Sequence, residues 1–349
     1  MGYRTIVAGT DGSPTAQQAV DKAARLAKLF GSKLVLVCAW SPETVAELDA
    51  QPTVESAQAA VAALGVEADA LTVHGEPGPS LSEVAGERGA DLIVVGSVGM
   101  GQVKRFRLGG VAERAAHTAP CDVLIVRTGG PEDQPVRRLV YEGIVTGTDG
   151  SATASEAVRR AFDLGMMFET KVTVVYVAGD PLVGAISLER ALAAKPKWVP
   201  VETLLVEGGD PASMISEVAR TGGGELVVVG NKGVVGARRW MLSSVPVKLA
   251  HEAVQDVIIA KTTDRSLEDL APGQGGLVTV DGRKLAIYVE EDGTVHSLSP
   301  RCQHMGCTVD WNGADRTWDC PCHGSRYRYD GEVIHGPAKK ALDRAELGG

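Results

Sequence analysis

The chain has 349 residues and a net charge of −9, and 44% of its residues are hydrophobic and 23% charged. A single hydrophobic core stops growing at about 250 to 300 residues, so we expect more than one domain. The acidic balance excludes a nucleic-acid partner, and no apolar run approaches the roughly 18 residues of a transmembrane segment, so we expect a cytoplasmic protein.

The first three quarters of the chain contain one long internal repeat. The segment "TIVAGTDGS" at 5–13 returns as "GIVTGTDGS" at 143–151, and "DLIVVGSVG" at 91–99 returns as "ELVVVGNKG" at 225–233. The period is the length of one domain, so the repeat indicates two domains of the same fold. The expected domains span 1–130 and 138–263.

Each copy alternates short Val, Ile and Leu runs with stretches of helical periodicity, a pattern that indicates parallel strands covered on both faces by helices. The predicted strands are 5–10, 33–40, 67–74, 91–97 and 122–128 in the first copy, and 143–148, 171–178, 202–207, 225–230 and 256–261 in the second. Right-handed crossovers then give two doubly wound, Rossmann-like α/β domains of five parallel strands. A ligand is expected beyond the carboxyl ends of the strands, where Asp11 and Asp149 lie.

After residue 263 the helical periodicity stops. A polar link, "TTDRSLEDLAPGQGG", leads into short strands separated by turns such as Asp281-Gly282 and Asp292-Gly293. We expect a separate, small antiparallel all-β domain over 272–349.

Four of the six cysteines lie in this last domain, in "CQHMGC" and "CPCHGSRY". The other two, Cys38 and Cys121, stand in apolar strands and are predicted to be ordinary core thiols. The candidate metal ligands of the two motifs are Cys302, His304, Cys320 and His323. Two thiolates and two neutral imidazoles suit a soft or borderline metal.

A single structural zinc ion could use the same four ligands. However, the C-x-H spacing is shorter than the usual zinc spacings, and Cys307 and Cys322 supply more sulfur than one zinc ion needs. Ser325 and Tyr327 add hydroxyl groups that could tune a redox centre. Zinc and a disulfide knot without metal are therefore the alternatives to an iron centre.

Together with the later "GPA" at 336–338, these motifs resemble the signature of Rieske iron-sulfur domains over about the last eighty residues. The resemblance implies that one iron of a [2Fe-2S] cluster is bound by two cysteines and the other by two histidines, in the pairs Cys302 with Cys320 and His304 with His323. It also implies a disulfide, two hydroxyl donors to cluster sulfurs and a covering proline loop, formed by Cys307 with Cys322, by Ser325 and Tyr327, and around Pro337.

Neutral imidazoles in place of thiolates make the cluster less negative, so an added electron is easier to accept. The reduction potential is then expected in the upper half of a range from about −150 to +300 mV, against about −400 mV for all-cysteine clusters of the plant type. Single-electron transfer is the expected chemistry, and the potential should fall as pH rises at high pH.

The repeats resemble the universal stress protein family over residues 1–262. Its nucleotide-binding members carry an Asp after the first strand and a glycine run written G-x2-G-x9-G-[S/T], whose amides can approach phosphates. The matching residues are Asp11, Gly96, Gly99 and Gly109 in the first copy, and Asp149, Gly230, Gly233 and Ser244 in the second. Gly110 and Ser243 depart from the pattern. ATP or AMP is the implied ligand, and a purely structural glycine turn is the alternative.

These resemblances imply an electron carrier rather than a catalyst by itself. Its expected partners are an oxidoreductase, such as an uptake hydrogenase or a dehydrogenase, and a quinone-linked respiratory acceptor that could hold it at the membrane periphery. The stress-protein domains would serve as a docking or regulatory scaffold. The alternative is a nucleotide-binding stress regulator whose cluster senses redox state. Family members usually dimerise through the last strand, which implies an intrachain pseudo-dimer here, and a homo-oligomer or a larger complex stays open.

Overall fold

The described residues of the computed structural model are 2–41, 46–98, 108–128, 141–178, 181–193, 195–231, 245–261, 267, 270–280, 283–306, 308–313, 315–320 and 324–347. The chain divides into two compact units, Met1–Thr262 and Thr263–Gly349. Within the described ranges, no helix is both long enough and apolar enough to span a bilayer.

The first copy of the repeat alternates strands and helices. Its strands are β1 (Thr5–Gly9), β2 (Lys33–Trp40), β3 (Ala68–His74), β4 (Leu92–Gly96) and β5 (Asp122–Val126). Its helices are α1 (Pro14–Phe30), α2 (Glu47–Ala63), α3 (Pro77–Glu87) and α4 (Gly110–Thr118). Each strand ends within two residues of its predicted range, because the β-branched runs that predicted them are the buried parts of the sheet.

The second copy has the same order of elements. Its strands are β6 (Gly143–Gly147), β7 (Lys171–Ala178), β8 (Val201–Glu207), β9 (Leu226–Gly230) and β10 (Asp256–Ala260). Its helices are α5 (Ala152–Met167), α6 (Pro181–Ala193), α7 (Pro211–Gly222) and α8 (Val245–Glu252). The repeat in the sequence is therefore a repeat in the fold.

The described strands of this unit form one ten-stranded sheet, in the order β3-β2-β1-β4-β5-β10-β9-β6-β7-β8. Strands within each copy run parallel, whereas β5 and β10 pair antiparallel, with Leu124 opposite Ile258. The predicted five-stranded doubly wound fold is confirmed in both copies. The two last strands pair with each other, which is the intrachain pseudo-dimer that the family resemblance implies.

The repeated "DGS" segment starts the first helix of each copy. The Ser13 hydroxyl accepts a hydrogen bond from the backbone N–H of Ala16 at 3.2 Å, and Ser151 accepts one from Ala154 at 3.4 Å. Gly12, just before the first of these caps, has a φ of +77°, which glycine adopts without strain. Serine caps of this kind satisfy backbone donors that the first helical turn leaves free.

A buried carboxylate ties the first copy to the second. Asp122 at the start of β5 accepts hydrogen bonds from the Tyr3 hydroxyl at 2.9 Å and from the Lys261 backbone N–H at 2.9 Å. Its Oδ2 also lies 2.7 Å from Nε of Arg160 on α5. Burial raises the pKa of Asp122 above its ordinary value, although the charge of Arg160 opposes that rise. The carboxylate joins residues of both copies.

The second copy carries the equivalent arrangement. Asp256 at the start of β10 accepts hydrogen bonds from the Tyr141 hydroxyl at 2.6 Å and from the Arg127 backbone N–H at 2.8 Å. The Lys22 ammonium on α1 lies 3.3 Å from Oδ2 of Asp256. The two carboxylates are therefore related by the pseudo-two-fold symmetry of the paired copies, and each receives a cation from the other copy's first helix.

The second unit consists of short antiparallel strands. They are β11 (Gly275–Val280), β12 (Arg283–Val289), β13 (Val295–Leu298), β14 (Asp310–Asn312), β15 (Thr317–Asp319), β16 (Arg326–Arg328) and β17 (Val333–His335). The first three form one sheet, and the last four form another in chain order. The predicted turn at Asp292-Gly293 separates β12 from β13, with φ +88° at Gly293, while Asp281-Gly282 lies outside the described residues. This confirms the predicted small all-β fold.

Candidate metal centre

The first ligand motif forms a tight turn between β13 and β14. The Gly306 N–H donates to the Cys302 carbonyl at 2.8 Å, which closes the turn around His304 and Met305. Cys302 is 2% exposed, whereas His304 is exposed and Met305 is 69% exposed. The turn therefore keeps the sulfur inside the unit and the imidazole residue at its rim.

The second motif follows β15 directly. Cys320 is 1% exposed, and its N–H donates to the Ser325 carbonyl at 2.7 Å, while the Gly324 N–H donates to the Cys320 carbonyl at 3.1 Å. Gly324 has a φ of +70°, which allows the chain to turn back into β16. The remaining predicted residues of the two motifs, Cys307, Cys322 and His323, lie outside the described residues.

Tyr327 on β16 connects the two motifs. Its hydroxyl oxygen lies 3.1 Å from Sγ of Cys302 and accepts a hydrogen bond from the Gln303 N–H at 3.0 Å. Because the Gln303 donor occupies the hydroxyl oxygen as an acceptor, the hydroxyl proton can be donated to the Cys302 sulfur. Tyr327 is fully buried and stands opposite Trp318 of β15, so its position is fixed by the core.

The environment of Cys302 favours a thiolate. Burial by itself raises the pKa of this thiol, but hydrogen bonds from the Tyr327 hydroxyl and the His304 backbone, joined by the side chains of Cys320 and Ser325, bring its pKa below the ordinary value. By contrast, burial raises the pKa of Cys38 to about 11 and that of Cys121 to about 12. The prediction that these two are core thiols is confirmed by their exposures of 0% and 4%.

The predicted covering loop packs on the second motif. The Ser325 hydroxyl, which is fully buried, accepts a hydrogen bond from the Ala338 N–H at 3.1 Å. Gly336 has a φ of +103°, and a Cβ on it would come 2.5 Å from Cα of Ser325. Pro337, between Gly336 and Ala338, is half-buried. Only glycine permits this approach, so the "GPA" segment is held against the loop that follows Cys320.

These residues fit a [2Fe-2S] cluster with mixed ligation. The side chains of Cys302 and Cys320 are both buried and interact with each other, the hydroxyl groups of Tyr327 and Ser325 contact the Cys302 sulfur, and His304 stands at the exposed rim. A hydroxyl that donates to a sulfur stabilises the negative charge of the ligand, and beside an iron-sulfur cluster this raises the reduction potential.

A second candidate site lies in the second copy of the repeat. A cavity of about 200 Å³ opens at the carboxyl ends of β6 and β9, where the strand order reverses. Its polar lining consists of Thr148, Asp149, Ser151 and Thr153, and its apolar lining includes Val177 and Ile215. Ligands of doubly wound folds bind at this position, and the predicted residues Asp149 and Gly230 both line it.

The glycines predicted to approach phosphate have packing roles. A Cβ on Gly230 would lie 2.3 Å from the Thr153 carbonyl oxygen, so helix α5 can approach β9 only over a glycine. A Cβ on Gly96 would lie 3.3 Å from the Thr15 carbonyl oxygen, a milder restriction. Gly109 precedes α4, whereas Gly99, Gly233 and Ser244 lie outside the described residues. The structural alternative thus accounts for Gly230. In the first copy, the predicted site residue Asp11 accepts a hydrogen bond from the Ser13 N–H at 3.0 Å.

Comparison with known proteins places both parts of the chain. The universal stress protein family model matches residues 2–127 and 141–261. This chain belongs to the universal stress protein family. Residues 261–346 match the Rieske [2Fe-2S] domain model, so the stress-protein domains are joined to a Rieske electron-transfer domain. A universal stress protein of Archaeoglobus fulgidus DSM 4304 shares the fold, with a TM-score of 0.57 and 15% identity over 74% of this chain and 98% of that one.

The curated relatives match the Rieske part. A Bacillus subtilis strain 168 protein, named as the Rieske 2Fe-2S iron-sulfur protein YhfW, is 46% identical over 84 residues, which are 24% of this chain and 16% of that protein. Cytochrome b6-f complex iron-sulfur subunit 1 of Synechocystis is 48% identical over 75 residues, 21% of this chain and 42% of that protein. The chain therefore spans less than half the length of these relatives.

One contact of the metal site had no signal in the sequence. The side-chain Nε2 of Gln303 donates to Oδ2 of Asp343 at 2.9 Å, across forty positions of the chain. Gln303 stands between two predicted ligands, but nothing near Asp343 in the sequence indicates that it reaches the same site. Only the fold, which returns the last residues to the first ligand loop, brings the two together.

Proposed function

We propose that this protein carries single electrons through a [2Fe-2S] cluster, receiving them from an oxidoreductase such as an uptake hydrogenase or a dehydrogenase and passing them to a quinone-linked respiratory acceptor. The proposed ligands are Cys302 and Cys320 for one iron, and His304 and His323 for the other. The stress-protein domains would act as a docking or regulatory scaffold, within a homo-oligomer or a larger complex.

The contact between Tyr327 and Cys302 carries this proposal. When bound, the cluster supplies reversible one-electron chemistry at a raised potential. The residues of the chain hold the sulfurs away from water and donate a hydroxyl proton to the Cys302 sulfur, while the exposed turn at His304 brings the site close to the surface. Electron transfer to another protein needs such an exposed rim, because the rate falls steeply with distance.

Metal analysis with EPR spectroscopy tests the assignment. The purified protein should contain two irons and two acid-labile sulfides per chain, and reduction by dithionite should give the low average g value of mixed sulfur and nitrogen ligation. Cys302→Ser should abolish that signal. Cys38→Ala, which removes an equally buried thiol from the stress-protein unit, serves as the control and should retain it. One zinc ion per chain and no signal would refute the proposal.

The donor is tested directly with purified enzymes. Hydrogenase with H2, or a dehydrogenase with NADH, should bleach the visible absorbance of the oxidised cluster at catalytic enzyme concentration. Bleaching that requires dithionite, with neither enzyme effective, would exclude both donors and leave the carrier function itself to be assessed by EPR.

We also propose the Cys307–Cys322 disulfide and domains at 1–130, 138–263 and 272–349. Intact-mass analysis of the native protein should show a mass lower than that of the reduced chain by two hydrogen atoms, which the two thiols lose as two protons and two electrons when the disulfide forms. Limited proteolysis should cut between 263 and 272 and release a coloured fragment that carries the cluster. A colourless fragment, or cuts only within 272–349, would contradict the boundary.

A second candidate function is that of a nucleotide-binding regulator in which the cluster senses redox state. The cavity lined by Asp149, Ser151 and Val177 supports it, because it lies where doubly wound folds bind ligands. Titration calorimetry with ATP and AMP should then detect binding that Val177→Phe abolishes by filling the cavity. The control is Val183→Phe on α6, because the Val183 side chain is 47% exposed.

Redox sensing makes a stricter demand on the same measurement. If cluster reduction alters the nucleotide site, ATP affinity must differ between the oxidised and reduced protein, and ATP must shift the reduction potential by the matching amount. Equal affinities in both states would refute the sensor, and no heat at millimolar ATP would refute the site in either copy, including that of Asp11.

A further inference from the structure

A continuous row of aromatic side chains runs through the Rieske domain from the sulfur of Cys302 towards the surface. The Tyr327 hydroxyl lies 3.1 Å from that sulfur, and Tyr327 stands opposite Trp318 in the pairing of β16 with β15. Residues opposite each other in antiparallel strands have neighbouring side chains. Trp318 also stands opposite Trp311 of β14, with the two ring centroids 4.8 Å apart. The first three rings therefore lie on three neighbouring strands.

The row continues into the other sheet of the domain. The rings of Trp311 and Tyr288 are stacked with centroids 5.0 Å apart, and Tyr288 lies 5.0 Å from the ring of Tyr329. Tyr288 is 3% exposed, whereas Trp311 and Tyr329 are half-buried. The row thus starts at the fully buried ring of Tyr327 and reaches water at Trp311 and Tyr329. We call Tyr327, Trp318, Trp311, Tyr288 and Tyr329 the aromatic row.

The composition of the row differs from that of an ordinary aromatic core. Residues 263–349 contain two Trp, three Tyr and no Phe, although the whole chain has four Phe. The five Trp and Tyr residues are the five members of the aromatic row. Packing alone makes no such distinction, because Phe forms the same ring contacts as Tyr and Trp. Indole and phenol rings lose an electron far more easily than a phenyl ring does, so the composition favours electron movement.

Backbone contacts fix the ring in the middle of the row. A Cβ on Gly275 of β11 would lie 2.4 Å from Cδ2 of Trp311, so the indole lies directly against the backbone of β11. Any side chain at position 275 would push the indole out of its contacts with Trp318 and Tyr288. Trp318 is held as well, since its Nε1–H donates to the Tyr329 carbonyl at 3.2 Å. Each step between rings is therefore kept short, and short steps are needed because the rate of electron transfer falls steeply with distance.

The buried ligand sulfurs have a particular need for such a path. Cys302 and Cys320 are 2% and 1% exposed, so a reductant dissolved in water does not reach a radical formed beside them. Cysteine that is oxidised as far as the sulfinic or sulfonic acid is not restored by thiols. A row of oxidisable rings moves the electron deficiency from the buried pocket to Tyr329, where a soluble reductant can remove it.

We propose that the aromatic row protects the metal centre from strong one-electron oxidants. This inference rests on the proposed [2Fe-2S] site and adds a second function to the domain. A hydroxyl radical derived from peroxide gains one electron and one proton and becomes water. The electron comes from Tyr327 and is replaced, step by step, along the row. At its end Tyr329 loses one electron, releases its phenolic proton to solvent and becomes a neutral radical, to which a soluble thiol or ascorbate returns one hydrogen atom.

A peroxide challenge with spin trapping tests the row. The full-length protein is reduced by dithionite, freed of the excess and mixed with hydrogen peroxide and the nitrone trap DMPO, with mannitol present to scavenge radicals in bulk water. Mass spectrometry should find trap adducts on Tyr329 and Trp311, the two rings of the row that water reaches. Ascorbate should suppress the adducts and slow the loss of visible cluster absorbance. In protein with ring-deuterated tyrosine, the freeze-quenched radical should give a narrower EPR signal.

Trp311→Phe should interrupt the row, because a phenyl ring keeps the packing on Gly275 but does not readily lose an electron. Adducts on Tyr329 should decrease several-fold, and the cluster should be lost several-fold faster per peroxide added. The matched control is Trp198→Phe, at a side chain that is 80% exposed in the stress-protein unit, and it should behave like wild type. Tyr288→Phe interrupts the row one step later and should leave the adduct on Trp311 while removing that on Tyr329.

The thermal loss of cluster absorbance, measured without peroxide for each variant, separates oxidation from unfolding. If Trp311→Phe fails to fold, the movement of the adduct in Tyr288→Phe decides the question. Absence of the low-g EPR signal from the unmodified protein would refute the electron-transfer function and the protective role together. An intact signal with equal Tyr329 adducts and equal cluster loss in Trp311→Phe and Trp198→Phe, or an adduct that stays on Tyr329 in Tyr288→Phe, would overturn the protective role alone.

Discussion

The hydroxyl oxygen of Tyr327 lies 3.1 Å from the sulfur of Cys302 while it accepts the N–H of the next residue, Gln303. The Tyr327 side chain thus holds the first ligand loop at two points, the backbone N–H of Gln303 and the sulfur of Cys302. Since Tyr327 belongs to the strand after the second loop, it also fixes the distance between the loops. Electronic tuning and mechanical alignment of the site depend on the same hydroxyl group.

Tyr327→Phe should lower the reduction potential of the cluster. The reduced state carries more negative charge on sulfur, so loss of the donated proton destabilises it more than the oxidised state. We expect a decrease of tens of millivolts, where about 59 mV corresponds to a tenfold change for one electron. Voltammetry of the purified variant measures it. Tyr329→Phe removes a hydroxyl from the adjoining turn and should leave the potential unchanged; an equal potential for Tyr327→Phe would contradict the prediction.

Ser325→Ala should also lower the potential, again by tens of millivolts. The Ser325 oxygen accepts from Ala338, so its own proton is available to a sulfur. The variant also frees the Ala338 N–H and should therefore loosen the covering loop. Faster proteolysis near 336–338 together with the lower potential is the expected result. Ser325→Thr, which retains the hydroxyl, provides the comparison, and a potential restored by threonine separates hydrogen bonding from packing.

Gly336→Ala should destabilise the Rieske domain by about 3 kcal/mol or more. The substitution forces alanine into a φ of +103° and brings Cβ within 2.5 Å of Ser325 Cα, which is backbone and cannot move aside. The temperature at which the visible cluster absorbance is lost should fall. Gly313→Ala, whose Cβ would lie 3.6 Å from the Trp311 ring, should behave like wild type. An unchanged temperature for Gly336→Ala would show that the loop does not hold this conformation.

Asp122→Ala should destabilise the stress-protein unit by about 3 kcal/mol, because it removes the carboxylate nearest to the largely buried Arg160 and leaves the more distant Glu156, 3.8 Å from Arg160 Nη2, as its ion-pair partner. The side chains of Asp122 and Arg160 are 1% and 18% exposed. Urea unfolding followed by circular dichroism measures the loss. Lys171→Ala breaks an exposed pair with Glu202 and should change stability by less than about 1 kcal/mol. An equal loss of stability in the two variants would mean that the buried pair contributes no more than the exposed pair.

Lys261 should make the stability of the stress-protein unit increase with pH. Burial lowers its pKa from 10.5 to about 8, against the opposing effects of Cys121 and Asp122. Between these two values the unfolded chain binds a proton that the folded chain does not, so unfolding becomes less favourable as pH rises through this window. The penalty of the charged ammonium is fully present below pH 8.

Lys261→Met isolates this contribution. The difference in unfolding free energy between variant and wild type should shrink by on the order of 3 kcal/mol from pH 8 to pH 10.5. Other groups that titrate in this range cancel in the difference. Lys171→Met, at a side chain that is 46% exposed, is the matched lysine-to-methionine control. A constant difference for Lys261→Met would show that the lysine is not charged differently in the folded state.

Much of the fold is encoded in short-range patterns. Val, Ile and Leu runs predicted every strand of the ten-stranded sheet to within two residues, because a strand buried on both faces must be apolar along its length. The repeated "DGS" segment marked the starts of α1 and α5 for an equally local reason, since a cap involves residues only three apart. Cysteine and histidine spacing likewise indicated a metal centre.

The contacts that complete the sites are of a different kind. No pattern in the sequence indicated that Asp122 contacts Tyr3 and Arg160, or that Gln303 contacts Asp343. Hydrogen-bond partners far apart in the chain are brought together by the path of the backbone. The glycine pattern indicated nucleotide at Gly230, yet the tertiary structure explains this glycine by the approach of Thr153. Composition and periodicity report what each residue can do, whereas the fold decides which residues meet.

The sequence by itself therefore determined the repeated α/β domains, the appended β domain and the donor atoms of its metal motifs, because burial and ligand chemistry act on residues close in the chain. Only the tertiary structure decided that Asp122 meets Tyr3 and Arg160, and that Gln303 reaches Asp343. Those relationships depend on long-range chain closure, which no local pattern encodes.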